Sequence, residues 1–119
     1  MIDLAEKIKS NIRFDFKEVL YTKKLKHDVY VDDLCRTLTP VYDYILKNVP
    51  IYSMRNRLIG EIDILAFKEG CYDIYEVKCS HRISKAKRQV SKFKKIISQQ
   101  NRVKDTFFFC GESGLLVCF

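Results

Sequence analysis

Apolar residues recur along this chain with two different periods, and the change between them divides it into elements. Over 3–21, Ile8, Ile12, Phe16 and Val19 are spaced by four, four and three, which is one stripe of an amphipathic helix. The basic run Thr22 to His27 reads as a loop. A second helix is expected over 29–48, with Leu34, Leu38, Val41, Ile45 and Val49 on one face. Pro40 inside that span predicts a kink or a break, and Pro50 ends the element. From 51 to 67 the period shortens to two, with β-branched residues alternating with polar ones from Ile59 to Ile64. Residues 71–80 repeat that pattern, so the two runs form a β-hairpin with Glu69-Gly70 at its tip. Helical spacing returns with Ala86, Val90, Phe93 and Ile97, and Ser84 is the expected N-cap. The end of the sequence, 106–119, reads as two short buried strands around a Gly-Glu-Ser-Gly turn. The order ααββαββ, with no repeat and no linker, predicts a single α/β domain over 1–119, a central mixed sheet flanked by helices in two or three layers.

The hairpin register decides what its charges can do. With Glu69 and Gly70 as the turn, Lys68 faces Cys71, Asp63 faces Glu76, and Glu61 faces Lys78. Directly opposed residues share a face, so these four charges come together. The other face then carries Ile62, Ile64, Ala66, Tyr75, Val77 and Cys79, an apolar set suited to packing against a helix. A slip of one residue would mix charge into that set.

Two carboxylates side by side repel, and one is forced to hold a proton unless a cation lies between them. A hard divalent ion resolves the conflict. Mg²⁺ is held by one or two carboxylates and completes its shell with waters and phosphate oxygens, so Asp63 and Glu76, joined by the Val77 carbonyl, make a suitable open site. Lys78 would orient the attacking water and stabilise charge on a phosphate. The other reading of the same residues is an interstrand ion pair, Glu61 with Lys78, on a solvated face.

Charge sharpens the choice of partner. Twenty-two Lys and Arg against 15 Asp and Glu give a net charge of +7. Between Val77 and Lys104 there is no acid, while Arg82, Lys85, Lys87, Arg88, Lys92 and Lys95 crowd the third helical segment. A helix that forgoes i,i+4 pairs of opposite charge accepts repulsion that phosphates would relieve. DNA bound through its backbone is the expected partner, and an RNA-processing enzyme would share the pattern. The five cysteines follow neither a CxxC nor a zinc-finger spacing and read as small apolar residues of a reducing compartment. The first residues mix acids and bases where a signal peptide needs an apolar run. A soluble, cytoplasmic protein is therefore expected, with no membrane contact and no organic cofactor.

"GEIDILA" at 60–66 followed by "IYEVKCS" at 74–80 resembles the core of the PD-(D/E)xK nuclease superfamily, which includes restriction endonucleases, archaeal-type Holliday junction resolvases and RecB-like nucleases. The resemblance covers about 55–97. It implies a restriction endonuclease-like fold and a metal-dependent deoxyribonuclease in which Asp63 and Glu76 bind Mg²⁺, with Mn²⁺ able to substitute, and Lys78 is the catalytic lysine. It also implies a role for Gln89, which stands where many RecB-like members carry a Gln on the helix after the lysine, with Phe93 in place of their Tyr. Family members often add an upstream acid to the metal site. Glu18, Asp32 and Asp33 are the candidates, Asp33 leading by its distance from Asp63, and Glu61 could substitute from the strand itself. A bare core of this size implies a homodimer acting on symmetric or branched DNA. The alternative is a catalytically inactive DNA-binding or assembly protein of the same fold.

Overall fold

The computed structural model describes residues 16–119, with side chains described from residue 25 onward. The expected helix over 3–21 lies outside the described residues up to residue 15, as does the side chain of Glu18. The first described helix, α1, runs Phe16–Leu38 without a break. The loop expected at 22–27 is therefore helical. No Gly or Pro interrupts the segment, so nothing in it opposes continuation. Val31, Leu34 and Leu38 form its buried stripe. Helix α1 stops just before Pro40, where Val41 N–H donates to the Leu38 carbonyl.

Residues 44–52 are a strand, not the continuation of a helix. This β1, Tyr44–Tyr52, pairs antiparallel with β2, Leu58–Lys68. Strand β3, Cys71–Lys78, is antiparallel to β2 through the Glu69-Gly70 turn, in the expected pairing of Lys68 with Cys71. Glu69 and Gly70 both have positive φ, 51° and 80°, the conformation a tight hairpin turn requires. Helix α2, Ile83–Ile97, then leads to β4, Arg102–Cys110, which lies parallel to β3, and β5, Leu116–Cys118, closes the order β1-β2-β3-β4-β5. Ser84 lies inside the first turn of α2, and Arg82 takes the N-cap position with no side-chain cap. Strand β5 is an exposed edge rather than a buried strand.

The result is a mixed α/β arrangement with a five-stranded open sheet between two helices. On one side Val31, Leu34 and Leu38 of α1 pack on Ile64, Ala66, Tyr75 and Val77. On the other, Val90 and Phe93 of α2 pack on Ile51, Ile62, Leu65 and Ile74, and Ala86 packs on Phe108 and Cys110. Gly60 permits the second contact, because a Cβ there would lie 3.0 Å from the Phe93 ring. Among the described residues no helix is long and apolar enough to cross a membrane.

One irregularity in the sheet positions Asp63. Ile62 packs toward α2 and Ile64 toward α1, although residues two apart on a regular strand share a face. The sequence expected them together. Strand β1 changes faces at the same level: Ile45 packs toward α1, Val49 and Ile51 toward α2. The ladder pairs Lys47 with Ile64 and Val49 with Ile62, leaving Asn48 and Asp63 between them unpaired. Asn48 has φ 54°, a left-handed conformation that breaks the pleat and that Asn tolerates better than most residues. Both strands thus reverse their alternation at the level of Asp63.

Candidate active site

Strands β2 and β3 part just beyond the Ile64–Tyr75 pair, where their ladder ends. Asp63 fills the gap. Its Oδ2 accepts a 2.8 Å hydrogen bond from the Val77 N–H, so a side chain takes the place of a ladder bond between the strands. Glu76 stands beside it, near enough that each carboxyl shifts the other's proton affinity. Both carboxyls are buried, 7% and 3% exposed, where unpaired charge is costly. Lys78 Nζ lies 3.6 Å from Glu76 Oε1. Burial and the neighbouring Asp63 push the Glu76 carboxyl up to about 9, against a smaller opposing pull from Lys78. Burial alone would raise Asp63 as well, but hydrogen bonds from His27 and the Val77 amide, together with the neighbouring Glu76, outweigh it and hold this carboxyl below its ordinary value. The two acids are thus driven apart in proton affinity.

A residue absent from the sequence reading completes the cluster. His27, half-buried on α1, brings Nε2 to 3.5 Å from Asp63 Oδ2 and 3.0 Å from the Val77 carbonyl oxygen. The hydrogen bond to Asp63 raises its pKa above the ordinary histidine value, against the lowering effect of burial. The signal was available in the spacing: His27 precedes Val31 by four residues and so continues the inward stripe of α1.

Two oxygens in this region are left over. Glu76 Oε2 and Gln89 Oε1 are buried and accept no hydrogen bond. Glu76 follows Ile74 by two positions and so faces α2, the helix that carries Gln89. Buried polar atoms without partners are uncommon and costly. The donors present are hard oxygens: two carboxylates, one with a free oxygen, and the Val77 carbonyl. That set fits a hard divalent cation that retains several waters. Among the described residues no three His, Cys, Asp or Glu side chains stand together as a metal-binding group, so any ion here would depend on water or substrate oxygens.

The other expected site residues lie elsewhere. Glu61 is exposed and faces Pro50 on β1, not Lys78, because the β2–β3 ladder ends before reaching it. Asp33 is exposed on α1 and pairs with Arg36, while Asp32 pairs with Lys47 at 2.7 Å. The cations Arg82, Lys85, Lys87, Arg88, Lys92 and Lys95 are all exposed. Among the described residues none of them forms an ion pair. Lys92 alone is tethered, donating to the Ile59 carbonyl at 3.2 Å and lying 5.9 Å from the centroid of the Phe93 ring. No family model matches this chain, and no curated protein matches it.

Proposed function

We propose that this chain is a metal-dependent nuclease of the PD-(D/E)xK type, hydrolysing phosphodiester bonds in DNA at Asp63, Glu76 and Lys78. The observation that carries this reading is the buried pairing of Asp63 with Glu76, one carboxyl oxygen unpartnered, beside the Lys78 amine. Two adjacent buried carboxyls destabilise a fold unless a proton or cation compensates them.

Asp63, Glu76 and the Val77 carbonyl would hold Mg²⁺ or Mn²⁺, which when bound supplies charge neutralisation to the phosphate and acidity to a water. Asp63, kept ionised by its hydrogen bonds, provides the permanent negative charge, and Glu76 would have to give up its proton to serve as a ligand. Lys78, its side chain only 18% exposed, is placed to donate to the attacking water or to a non-bridging phosphate oxygen. Gln89 offers a second polar contact from α2. His27 holds Asp63 and the Val77 carbonyl in position from α1. Water attacks phosphorus, one ester P–O bond breaks, and the departing alkoxide takes up a proton to leave a hydroxyl end. The exposed α2 cations supply backbone contacts that do not depend on base sequence.

The rival reading is a non-catalytic DNA-binding protein, favoured by the lack of a three-residue metal group among the described residues. Purified protein incubated with supercoiled and four-way DNA in Mg²⁺, Mn²⁺ or EDTA separates them. Metal-dependent nicking that is lost in Asp63→Asn and Lys78→Ala, with DNA binding kept, supports the nuclease. Binding without cleavage in either metal supports the rival.

A further inference from the structure

The turn joining β1 to β2 is apolar and cationic at once. Met54 is 98% exposed, and Leu58 and Tyr52, the last pair of the β1–β2 ladder, are 63% and 56% exposed. Arg55 and Arg57 are exposed beside them, and no acid occurs from Ile51 to Gly60. The turn is built rather than loose. Ser53 N–H donates to the Arg57 carbonyl at 2.8 Å, Asn56 N–H donates to the Ser53 carbonyl at 2.9 Å, and Ser53 Oγ accepts from the Arg55 and Arg57 amides at 3.3 and 3.2 Å. Asn56 adopts φ 58° to close it. Three large apolar side chains exposed on one firm turn, Tyr52, Met54 and Leu58, offer a patch that a partner can cover.

Position and charge indicate which partner. The hairpin projects from the end of the sheet where β2 begins and β3 ends, the end that carries Lys78 and Arg82. Lys92 reaches its base at the Ile59 carbonyl. Arg57 precedes Asp63 by six residues, roughly 20 Å of extended strand. That span equals about six base steps of duplex. Proteins that kink DNA combine these two chemistries, an apolar wedge between bases and guanidiniums on the flanking phosphates. We infer that the β1–β2 hairpin is a DNA wedge: Met54, backed by Tyr52 and Leu58, inserts at a base step while Arg55 and Arg57 hold the phosphates on either side. This rests on the reading that DNA binds at this end of the sheet, and adds how the substrate is deformed there.

The test is carried out in EDTA, so that cleavage plays no part. Duplex and four-way DNA carry 2-aminopurine at successive positions across about six base pairs, the reach estimated from strand length. The wild type raises the fluorescence of one position severalfold, reporting an unstacked base. Met54→Ala, at a position so exposed that folding is unaffected, abolishes the rise and weakens binding roughly tenfold, about the worth of one stacked base. Arg55→Ala with Arg57→Ala lowers the slope of log affinity against log salt by about two. Binding with no fluorescence change at any position, or a rise that survives Met54→Ala, overturns the wedge while leaving DNA binding intact. Absence of binding to both DNAs overturns the wedge and the DNA reading together. Asp63→Asn that keeps the fluorescence rise in EDTA and loses nicking in a separate Mg²⁺ assay supports both readings separately.

Discussion

His27 Nε2 and Asp63 Oδ2 lie 3.5 Å apart, joining the first described helix to the point where β2 and β3 separate. The contact raises His27 above its ordinary pKa, chiefly through the hydrogen bond to Asp63 and against burial. A histidine raised on folding stabilises the protein fully below its unfolded value of 6.5, and that contribution is lost as pH rises through the folded value. His27→Ala should therefore lower stability by about 1 kcal/mol at pH 6, the figure reduced for partial exposure. Thermal unfolding of both proteins from pH 5.5 to 9 should show the gap narrowing as pH rises. A gap constant with pH would mean that His27 acts only by packing.

Glu76 has the opposite stability profile to an ordinary surface acid. Its folded value of about 9 lies above the ordinary value of 4.5, so the folded state holds the extra proton between them and stability falls as pH rises across that window. Glu76→Gln has no charge to bury and should be more stable than wild type at pH 8, by about 1 to 3 kcal/mol. At pH 4 the difference should vanish. On the proposed metal reading, Mg²⁺ should stabilise the wild type at pH 8 and leave the variant unchanged, since binding there would displace the Glu76 proton. Calorimetry at the two pH values, with and without Mg²⁺, reads all three outcomes.

The hairpin turn, the α2 core stripe and the mixed sheet were legible because each depends on period and turn chemistry alone. Strand β1 was not, because Val41, Ile45 and Val49 are spaced by four, a spacing common to the helical period and to the period of two. His27 was hidden by the same mistake in reverse, a basic run taken for a loop where nothing stops a helix. The placement of Glu61 failed for a third reason. Register arithmetic assumes an unbroken pleat, and the left-handed Asn48 opposite Asp63 breaks it. Sequence brought Asp63, Glu76 and Lys78 to one place; it could not show that Glu61 faces Pro50 or that Asp33 is engaged by Arg36.

Gly111 holds the seam between β3 and α1. Its N–H donates to the Lys78 carbonyl at 2.8 Å, and a Cβ at this position would lie 2.1 Å from the Tyr30 ring on α1. Overpacking of that kind costs about 1 to 3 kcal/mol. Gly111→Ala should lower Tm by several degrees, and Tyr30→Ala in the same chain should restore part of the loss by removing the obstructing ring. Additive losses in a double-mutant cycle would show that the two residues do not meet.

The cations of α2 divide into two groups that salt titration can tell apart. Lys85 and Arg88 are exposed and, among the described residues, form no ion pair, so on the proposed DNA reading they are free to meet phosphates. Lys92 is already engaged with the Ile59 carbonyl and the Phe93 ring. Removing a phosphate contact lowers the slope of log affinity against log salt by about 0.9 for duplex DNA. Lys85→Ala with Arg88→Ala should therefore flatten the slope by nearly two without moving Tm, because neither side chain packs. Lys92→Ala should do the reverse, leaving the slope unchanged and lowering stability by about 0.5 to 1 kcal/mol through its lost hydrogen bond and ring contact. Equal slope changes for all three lysine and arginine positions would mean that Lys92 leaves the strand to bind DNA, and that α2 meets the backbone along its whole length.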